Sequence, residues 1–129
     1  MKARRRKENP NVSKASEVTI FHNPNCGASR TVLAALREKG LEPTVVEYLK
    51  TGWTRPQLEG LLKAMKARPR DILRTLGTPA EALGISADSP DDKILAAMVA
   101  EPIMVERPIV VTPKGTALCR PADRLDALL

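Results

Sequence analysis

A strand pattern, a helical pattern and a second strand pattern follow one another early in this chain, and this order restricts its fold more than any other feature. Residues 18–21 form a short apolar run, and residues 29–39 carry apolar side chains at helical spacing before Gly40. Residues 43–49 are rich in β-branched side chains and predict a second strand. Because a helix of about ten residues joins the two strands, we predict a βαβ unit with parallel strands.

The middle of the chain predicts helices. Thr54-Arg55-Pro56-Gln57 has the pattern of a capping box, in which the threonine and glutamine side chains bind backbone N–H groups at a helix start. Ser89-Pro90-Asp91-Asp92 is a second start signal, with acidic residues in the first turn. Residues 69–76 and 80–83 carry shorter helical patterns. The predicted apolar faces of the two longer helices are Leu58, Leu61, Leu62 and Met65, and Ile94, Leu95, Met98 and Val99.

The last part of the chain returns to strands. Residues 109–112 and 116–119 flank Pro113-Lys114-Gly115 and predict a β-hairpin. Residues 121–129 predict a closing helix whose leucines face inward. A βαβ unit, a helical insert and a ββα unit in this order predict an α/β, thioredoxin-like fold with a mixed sheet. The inward-facing leucines are Leu125, Leu128 and Leu129.

Length and charge restrict the domain count and the kind of partner. A chain of 129 residues with 43% hydrophobic content suits one domain, which we assign to residues 18–129. Residues 1–17 hold six basic and two acidic residues, which supply +4 of the net charge of +6, and they predict a disordered basic extension. The remaining charge is too small for a polyanion-binding face, so we do not expect the domain to bind nucleic acid. Contact of the basic extension with nucleic acid or an acidic partner is the less favoured alternative.

The remaining composition indicates compartment and cofactors. No apolar stretch approaches the length of a membrane span, and the segment after the basic residues is polar where a signal peptide would be apolar. Two cysteines are too few for a disulfide scaffold and suit a reducing compartment, so we expect a cytoplasmic protein without a membrane partner. One histidine and two distant cysteines cannot supply the usual metal ligands, and no phosphate-binding glycine loop is present. We therefore expect no metal and no bound cofactor.

Cys26 lies in the turn between the first strand and the first helix. The first turn of a helix has unpaired N–H groups and a partial positive charge, which favour a thiolate, the reactive form of cysteine. A lone cysteine is often a small buried core residue, but the turn-forming Asn23-Pro24 and Gly27 favour a presented thiol. Ser29 stands where a C-x-x-C pair has its second cysteine, so an internal disulfide cannot form there and we expect an external thiol to take part.

Four sequence blocks resemble the glutaredoxin-coupled arsenate reductases, and together they extend over nearly all of residues 18–125. The two outer blocks are long and ordered, which makes chance similarity a poor explanation. The blocks are His22-Asn23-Pro24-x-Cys26-Gly27-x-Ser29-Arg30, Glu42-Pro43-Thr44 with Tyr48-Leu49, Leu73-Arg74, and Arg107-Pro108-Ile109-Val110-Val111-Thr112-Pro113-x-Gly115-Thr116-x-Leu118-Cys119-Arg120-Pro121.

The resemblance implies a reaction and a set of site residues. It implies that Cys26 attacks arsenate, that glutathione as co-substrate attacks the resulting adduct, and that glutaredoxin resolves the mixed disulfide. It also implies that Arg74, Arg107 and Arg120 bind the oxyanion and that His22 tunes the cysteine. Guanidinium groups suit both tasks, because their donors bind oxyanions and lower the pKa of a nearby thiol.

The residues themselves leave alternatives for several of these roles. Arg107 and Arg120 flank the predicted hairpin and are expected to project toward Cys26, although isolated arginines are usually solvated. Arg30, one turn after Cys26, either helps to hold the anion or faces solvent. His22 is either a strand-end residue or a base that favours the thiolate.

Two further residues carry structural expectations. Pro108 precedes a hairpin strand at the position of the cis-proline that thioredoxin-like folds place opposite their nucleophile, so we predict a cis Arg107–Pro108 bond. Cys119 occupies an apolar strand position, which favours a buried inert thiol over a thiol that resolves Cys26.

Two other functions are consistent with a resemblance to this family. One is an Spx-type transcriptional regulator that binds RNA polymerase, but such proteins carry C-x-x-C where this chain has Cys26 and Ser29. The other is a protein that acts on thiol adducts without reducing arsenate.

Overall fold

The computed structural model describes residues 17–129, which divide into two compact units. The first unit comprises the described residues up to Val46 together with Arg107–Leu129, and the second comprises Glu47–Glu106. The predicted disordered extension, apart from Glu17, lies outside the described residues. Within residues 17–129, no helix is long and apolar enough to cross a membrane, and no group of His, Cys, Asp and Glu side chains is arranged to hold a metal ion.

A mixed four-stranded sheet, as predicted, organises the first unit. Its strands are β1 (Thr19–His22), β2 (Thr44–Glu47), β3 (Ile109–Thr112) and β4 (Gly115–Leu118), and their order in the sheet is β2-β1-β3-β4. β1 runs antiparallel to β3 with Ile20 opposite Val110, and β3 runs antiparallel to β4 with Thr112 opposite Gly115. The helices of this unit are α1 (Gly27–Glu38) and a closing 3₁₀ helix (Ala122–Leu128).

One apolar cluster packs α1 and the closing 3₁₀ helix against the sheet. Its members come from all of these elements, so the βαβ part and the ββα part of the chain share one core. Leu125 and Leu128 are buried as predicted, and Leu129 is partly buried beside them. The buried residues of the cluster are Val18, Ile20, Val32, Leu36, Val110, Cys119, Leu125 and Leu128.

The second strand is shorter than predicted. It ends at Glu47, and Tyr48–Thr51 forms a short helix, α2. The Tyr48 side chain is fully buried, its hydroxyl donates to the carbonyl of Val105 at 3.0 Å, and its ring stacks at a tilt on Trp53. These contacts within the second unit override the β-branched pattern, because strand propensity is weak beside tertiary packing.

The second unit corresponds to the predicted helical insert. The capping box is confirmed, since the Gln57 N–H donates to the Thr54 hydroxyl at 3.2 Å and the Thr54 N–H donates to the Gln57 side chain at 3.4 Å. Ile94, Leu95 and Met98 are buried, whereas Val99 is exposed. The remaining elements are α3 (Arg55–Met65), α4 (Asp91–Ala100) and 3₁₀ helices at Pro69–Ile72 and Pro102–Met104.

Two short helical predictions are wrong in extent. The pattern over 69–76 is helical only at Pro69–Ile72, because Leu73 instead forms an isolated antiparallel bridge with Val105. Residues 80–83 form a single hydrogen-bonded turn, which Gly84 ends at φ +71°. Glycine adopts this left-handed conformation without steric cost.

Candidate active site

Cys26 is the N-cap residue of α1, as the strand-turn-helix pattern predicted. Its backbone is extended, with φ −103° and ψ 123°, and its carbonyl accepts the first helical hydrogen bond from Arg30 at 3.0 Å. Its own N–H donates to the carbonyl of Asn23 at 3.0 Å, which closes the preceding turn. The sulfur therefore stands at the N-terminus of a 12-residue helix, where the helix dipole favours negative charge.

The Cys26 thiol has a lowered pKa. Burial raises this pKa most strongly, since the residue is only 9% exposed. The backbone N–H of Ser29, the guanidinium of Arg107 and the N–H of Ala28 oppose this effect and bring the pKa from 9.0 to about 7. Donors that stabilise a thiolate in this way can also stabilise an oxyanion that approaches the sulfur.

The side chains of Arg107 and Arg120 both lie beside Cys26, as expected from their positions next to the hairpin. Arg120 Nη1 lies 3.7 Å from the Cys26 sulfur and donates to the Arg107 carbonyl at 3.2 Å. The Arg107 side chain contributes to the lowered thiol pKa, and this residue is 8% exposed. Two guanidinium groups thus lie at the nucleophile.

The register of β3 and β4 explains why Arg107 and Arg120 lie close together. Ile109 is opposite Leu118, so the same register continued beyond the strands places Arg107 opposite Arg120. A hydrogen bond of 2.9 Å from the Cys119 N–H to the Pro108 carbonyl lies between these pairs. The Arg107–Pro108 bond is cis, which confirms the prediction, and the Arg120–Pro121 bond is also cis.

Ser29, in the first turn of α1, connects this helix to the residues that precede Cys26. It is fully buried, its hydroxyl accepts from the Asn23 N–H at 3.1 Å, and the same oxygen lies 2.7 Å from His22 Nδ1. His22 is itself buried at the end of β1. His22 therefore contacts the cysteine turn at Ser29, which the sequence had marked only as the replacement for a second cysteine.

Asn23, predicted as a turn-forming residue, builds the turn before Cys26 with its side chain and its carbonyl. It is 3% exposed, its side-chain oxygen accepts from the Asn25 N–H at 2.9 Å, and its carbonyl accepts from Cys26. The signal available in the sequence was the tendency of asparagine to bind the backbone two residues later.

Arg30 lies on the outer side of the same turn. Its Nη1 donates to the Pro24 carbonyl at 2.9 Å, in an exposed position. This hydrogen bond ties the first turn of α1 to the loop before Cys26.

Arg74 belongs to the second unit. Its Nη1 donates to Glu106 Oε1 at 3.0 Å, and both side chains are about one-fifth exposed, at 21% and 23%. The pairing of Arg74 with a carboxylate has no counterpart in the sequence predictions.

Cys119 has the properties of a structural thiol. It is fully buried in the apolar core, and burial raises its pKa to about 11. Both cysteines of the chain are free thiols. A raised pKa disfavours the thiolate that a resolving cysteine needs.

Residues 21–128 match the sequence profile of the ArsC family. The chain belongs to the ArsC family. The resemblance identified from the four sequence blocks is thus confirmed.

Several arsenate reductases are similar to this chain in sequence or in structure. An arsenate reductase of Synechocystis sp. is 50% identical over 107 residues, which cover 82% of this chain and 76% of the relative. An arsenate reductase of Escherichia coli is 46% identical over 109 residues, or 84% of this chain and 77% of the relative. The solved structure of an arsenate reductase from Vibrio cholerae superposes with a TM-score of 0.81 at 32% identity, and the match covers 87% of this chain and 97% of that one. These matches confirm the predicted thioredoxin-like fold of this ArsC family chain.

Proposed function

We propose that this chain reduces arsenate to arsenite, with Cys26 as the nucleophile and with glutathione and glutaredoxin as the source of electrons. One observation carries the proposal: a cysteine with a pKa of about 7 at a helix N-terminus is in contact with Arg120 and Arg107. The arsenate reductase names of the relatives that match over more than four-fifths of the chain support the choice of substrate.

The first step is an attack by the Cys26 thiolate on arsenic. A sulfur–arsenic bond forms, an arsenic–oxygen bond breaks, and the oxygen leaves as water after taking up protons. At neutral pH about half of a thiol with this pKa is ionised, so the nucleophile is available without a separate base. Arg107 and Arg120 are proposed to bind the arsenate oxygens, because guanidinium groups offer several donors to a tetrahedral oxyanion.

The second step transfers two electrons to arsenic. The thiolate of glutathione attacks the adduct, arsenic(V) becomes arsenic(III), and arsenite leaves as the two sulfurs are oxidised to a mixed disulfide between Cys26 and glutathione. Glutaredoxin then attacks the glutathione sulfur and releases the Cys26 thiolate. An external thiol is required because Ser29 cannot resolve the disulfide. The cycle needs no bound cofactor.

The other predicted residues are proposed to support these steps. His22 acts on the cysteine through Ser29, whose hydroxyl contacts it at 2.7 Å. Arg30 holds the loop before Cys26 through the Pro24 carbonyl. Pro108 sets the backbone between Arg107 and β3, and Arg74 is a third guanidinium for the anion.

The test is arsenite production from arsenate with glutathione and glutaredoxin present. We expect activity in the unmodified chain and in Cys119→Ser, and none in Cys26→Ser. Cys119→Ser is the matched control because it removes the other thiol of the chain.

Three other results would contradict the proposed mechanism. Arsenate-independent reduction of a glutathione mixed disulfide, without arsenite production, would favour a protein that handles thiol adducts. Equal arsenite production by Cys26→Ser would exclude Cys26 as the nucleophile. Activity without glutathione would show that another thiol of the chain resolves Cys26.

A further inference from the structure

A carboxylate holds one of the arginines assigned to the oxyanion. Arg74 Nη1 donates to Glu106 Oε1 at 3.0 Å, and the pair is more buried than the exposed ion pairs of the same unit, such as Arg68 with Asp91. A partly buried pair is screened less by water than an exposed one, so the two groups affect each other more strongly.

Backbone hydrogen bonds fix this pair on both sides. Leu73 and Val105 form an antiparallel bridge, in which the Arg74 N–H donates to the Met104 carbonyl at 2.8 Å and the Glu106 N–H donates to the Ile72 carbonyl at 2.8 Å. Arg74 and Glu106 each follow a bridge residue and are therefore diagonal neighbours across the bridge, within reach of long side chains. The Arg74 carbonyl also accepts from the Thr78 hydroxyl at 3.0 Å.

We propose that Glu106 is an affinity-lowering residue that competes with the oxyanion for Arg74 and thereby weakens anion binding. This inference rests on the proposed function, because it takes Arg74 as a group that binds arsenate. The Glu106 carboxylate accepts a hydrogen bond from Arg74 Nη1 that an anion would otherwise accept. Its negative charge also repels an anion that approaches the same guanidinium. Both effects act on binding, so Glu106 changes KM and leaves kcat little altered.

The experiment compares four variants with saturating glutathione and glutaredoxin. The variants are Glu106→Gln, Arg74→Ala, the double variant of both, and Asp91→Asn. Asp91→Asn is the matched control, because it removes the carboxylate of the Arg68 pair in the same unit. Circular dichroism establishes that each variant is folded, and Glu106→Asn serves if Glu106→Gln is not.

We expect Glu106→Gln to lower the KM for arsenate about fivefold with kcat unchanged, as the loss of one partly buried competing pair implies. The inhibition constant of inorganic phosphate should fall by a similar factor. The double variant should have the same KM for arsenate as Arg74→Ala alone. Asp91→Asn should leave both the KM and the inhibition constant unchanged.

The outcomes separate this inference from the proposed role of Arg74. If Arg74→Ala raises the KM for arsenate but Glu106→Gln leaves it unchanged or raises it, the competition is excluded and the role of Arg74 stands. If Arg74→Ala leaves the KM unchanged, Arg74 does not bind the anion and the competition is excluded with it. An effect of Glu106→Gln that persists without Arg74 would show that the carboxylate acts through another group.

Discussion

Arg120 Nη1 lies 3.7 Å from the sulfur of Cys26, although 94 residues separate the two in the chain. The same nitrogen binds the carbonyl of Arg107, so one guanidinium joins the nucleophile to the residue before the cis-proline. A charged group that contacts both can hold the cysteine turn and the open end of the hairpin in one arrangement. The chemistry of Cys26 therefore depends on the sheet as well as on its own helix.

Removal of the Arg107 side chain should raise the Cys26 pKa. Arg107 lowers this pKa by a hydrogen bond and by its charge, whereas burial raises it. In Arg107→Ala the pKa should move from about 7 toward 9.0. The measurement is the pH dependence of the iodoacetamide alkylation rate of Cys26 in a Cys119→Ala background, with Arg124→Ala as the control because Arg124 is not among the groups that shift the Cys26 pKa. An unchanged midpoint would show that Arg107 does not act on the thiol.

The Cys26 thiolate should also make stability depend on pH. Its pKa is about 7 in the folded chain and near 9.0 when unperturbed, so the stabilisation is fully present above about pH 9 and is lost as the pH falls to 7. We expect a difference on the order of 1 kcal/mol between these limits, since Pro24 and Asn25 are exposed beside the buried thiol and water screens its charge in part. This difference is measured by urea unfolding of the unmodified chain and of Cys26→Ser, at several pH values and with a reductant present. Parallel pH profiles for the two proteins would contradict this expectation.

Ser29→Ala should destabilise the cysteine turn. The substitution leaves the buried Asn23 N–H without its hydroxyl acceptor and removes the contact to His22. Loss of a buried partner costs about 1–3 kcal/mol. Ser86→Ala is the control, because Ser86 is exposed and surface substitutions change stability by about 0.5 kcal/mol or less. Chemical unfolding measures both variants, and equal stabilities would exclude a structural role for the Ser29 hydroxyl.

Cys119→Ala should retain arsenate reduction and lose some stability. The thiol is fully buried with a pKa of about 11, so it supplies packing but little thiolate. Removal of its sulfur from the core should cost about 1 kcal/mol. Activity with glutathione and glutaredoxin, together with thermal unfolding, tests both parts. Loss of activity in a variant with a normal unfolding transition would assign Cys119 a chemical role.

Local chemistry made much of this protein predictable from its sequence. The N-cap position of Cys26 follows from a strand, a turn and a helical pattern that succeed one another within a few residues. The Thr54 capping box and the hairpin around Pro113-Lys114 depend on neighbours in the chain in the same way. Such features need no knowledge of distant residues, because their hydrogen bonds connect positions two to four apart.

The features that join distant segments depend on how the chain folds. The meeting of Arg107 with Arg120 follows from the register of β3 and β4, and the pairing of Arg74 with Glu106 follows from the bridge between Leu73 and Val105. Packing of Tyr48 likewise ended β2 early. The type of chemistry, a thiolate at a helix start, follows from the order of neighbouring residues, because that chemistry is local. Only the folded chain decided which charges surround the thiol and which are held by carboxylates, because side-chain contacts across a sheet depend on register.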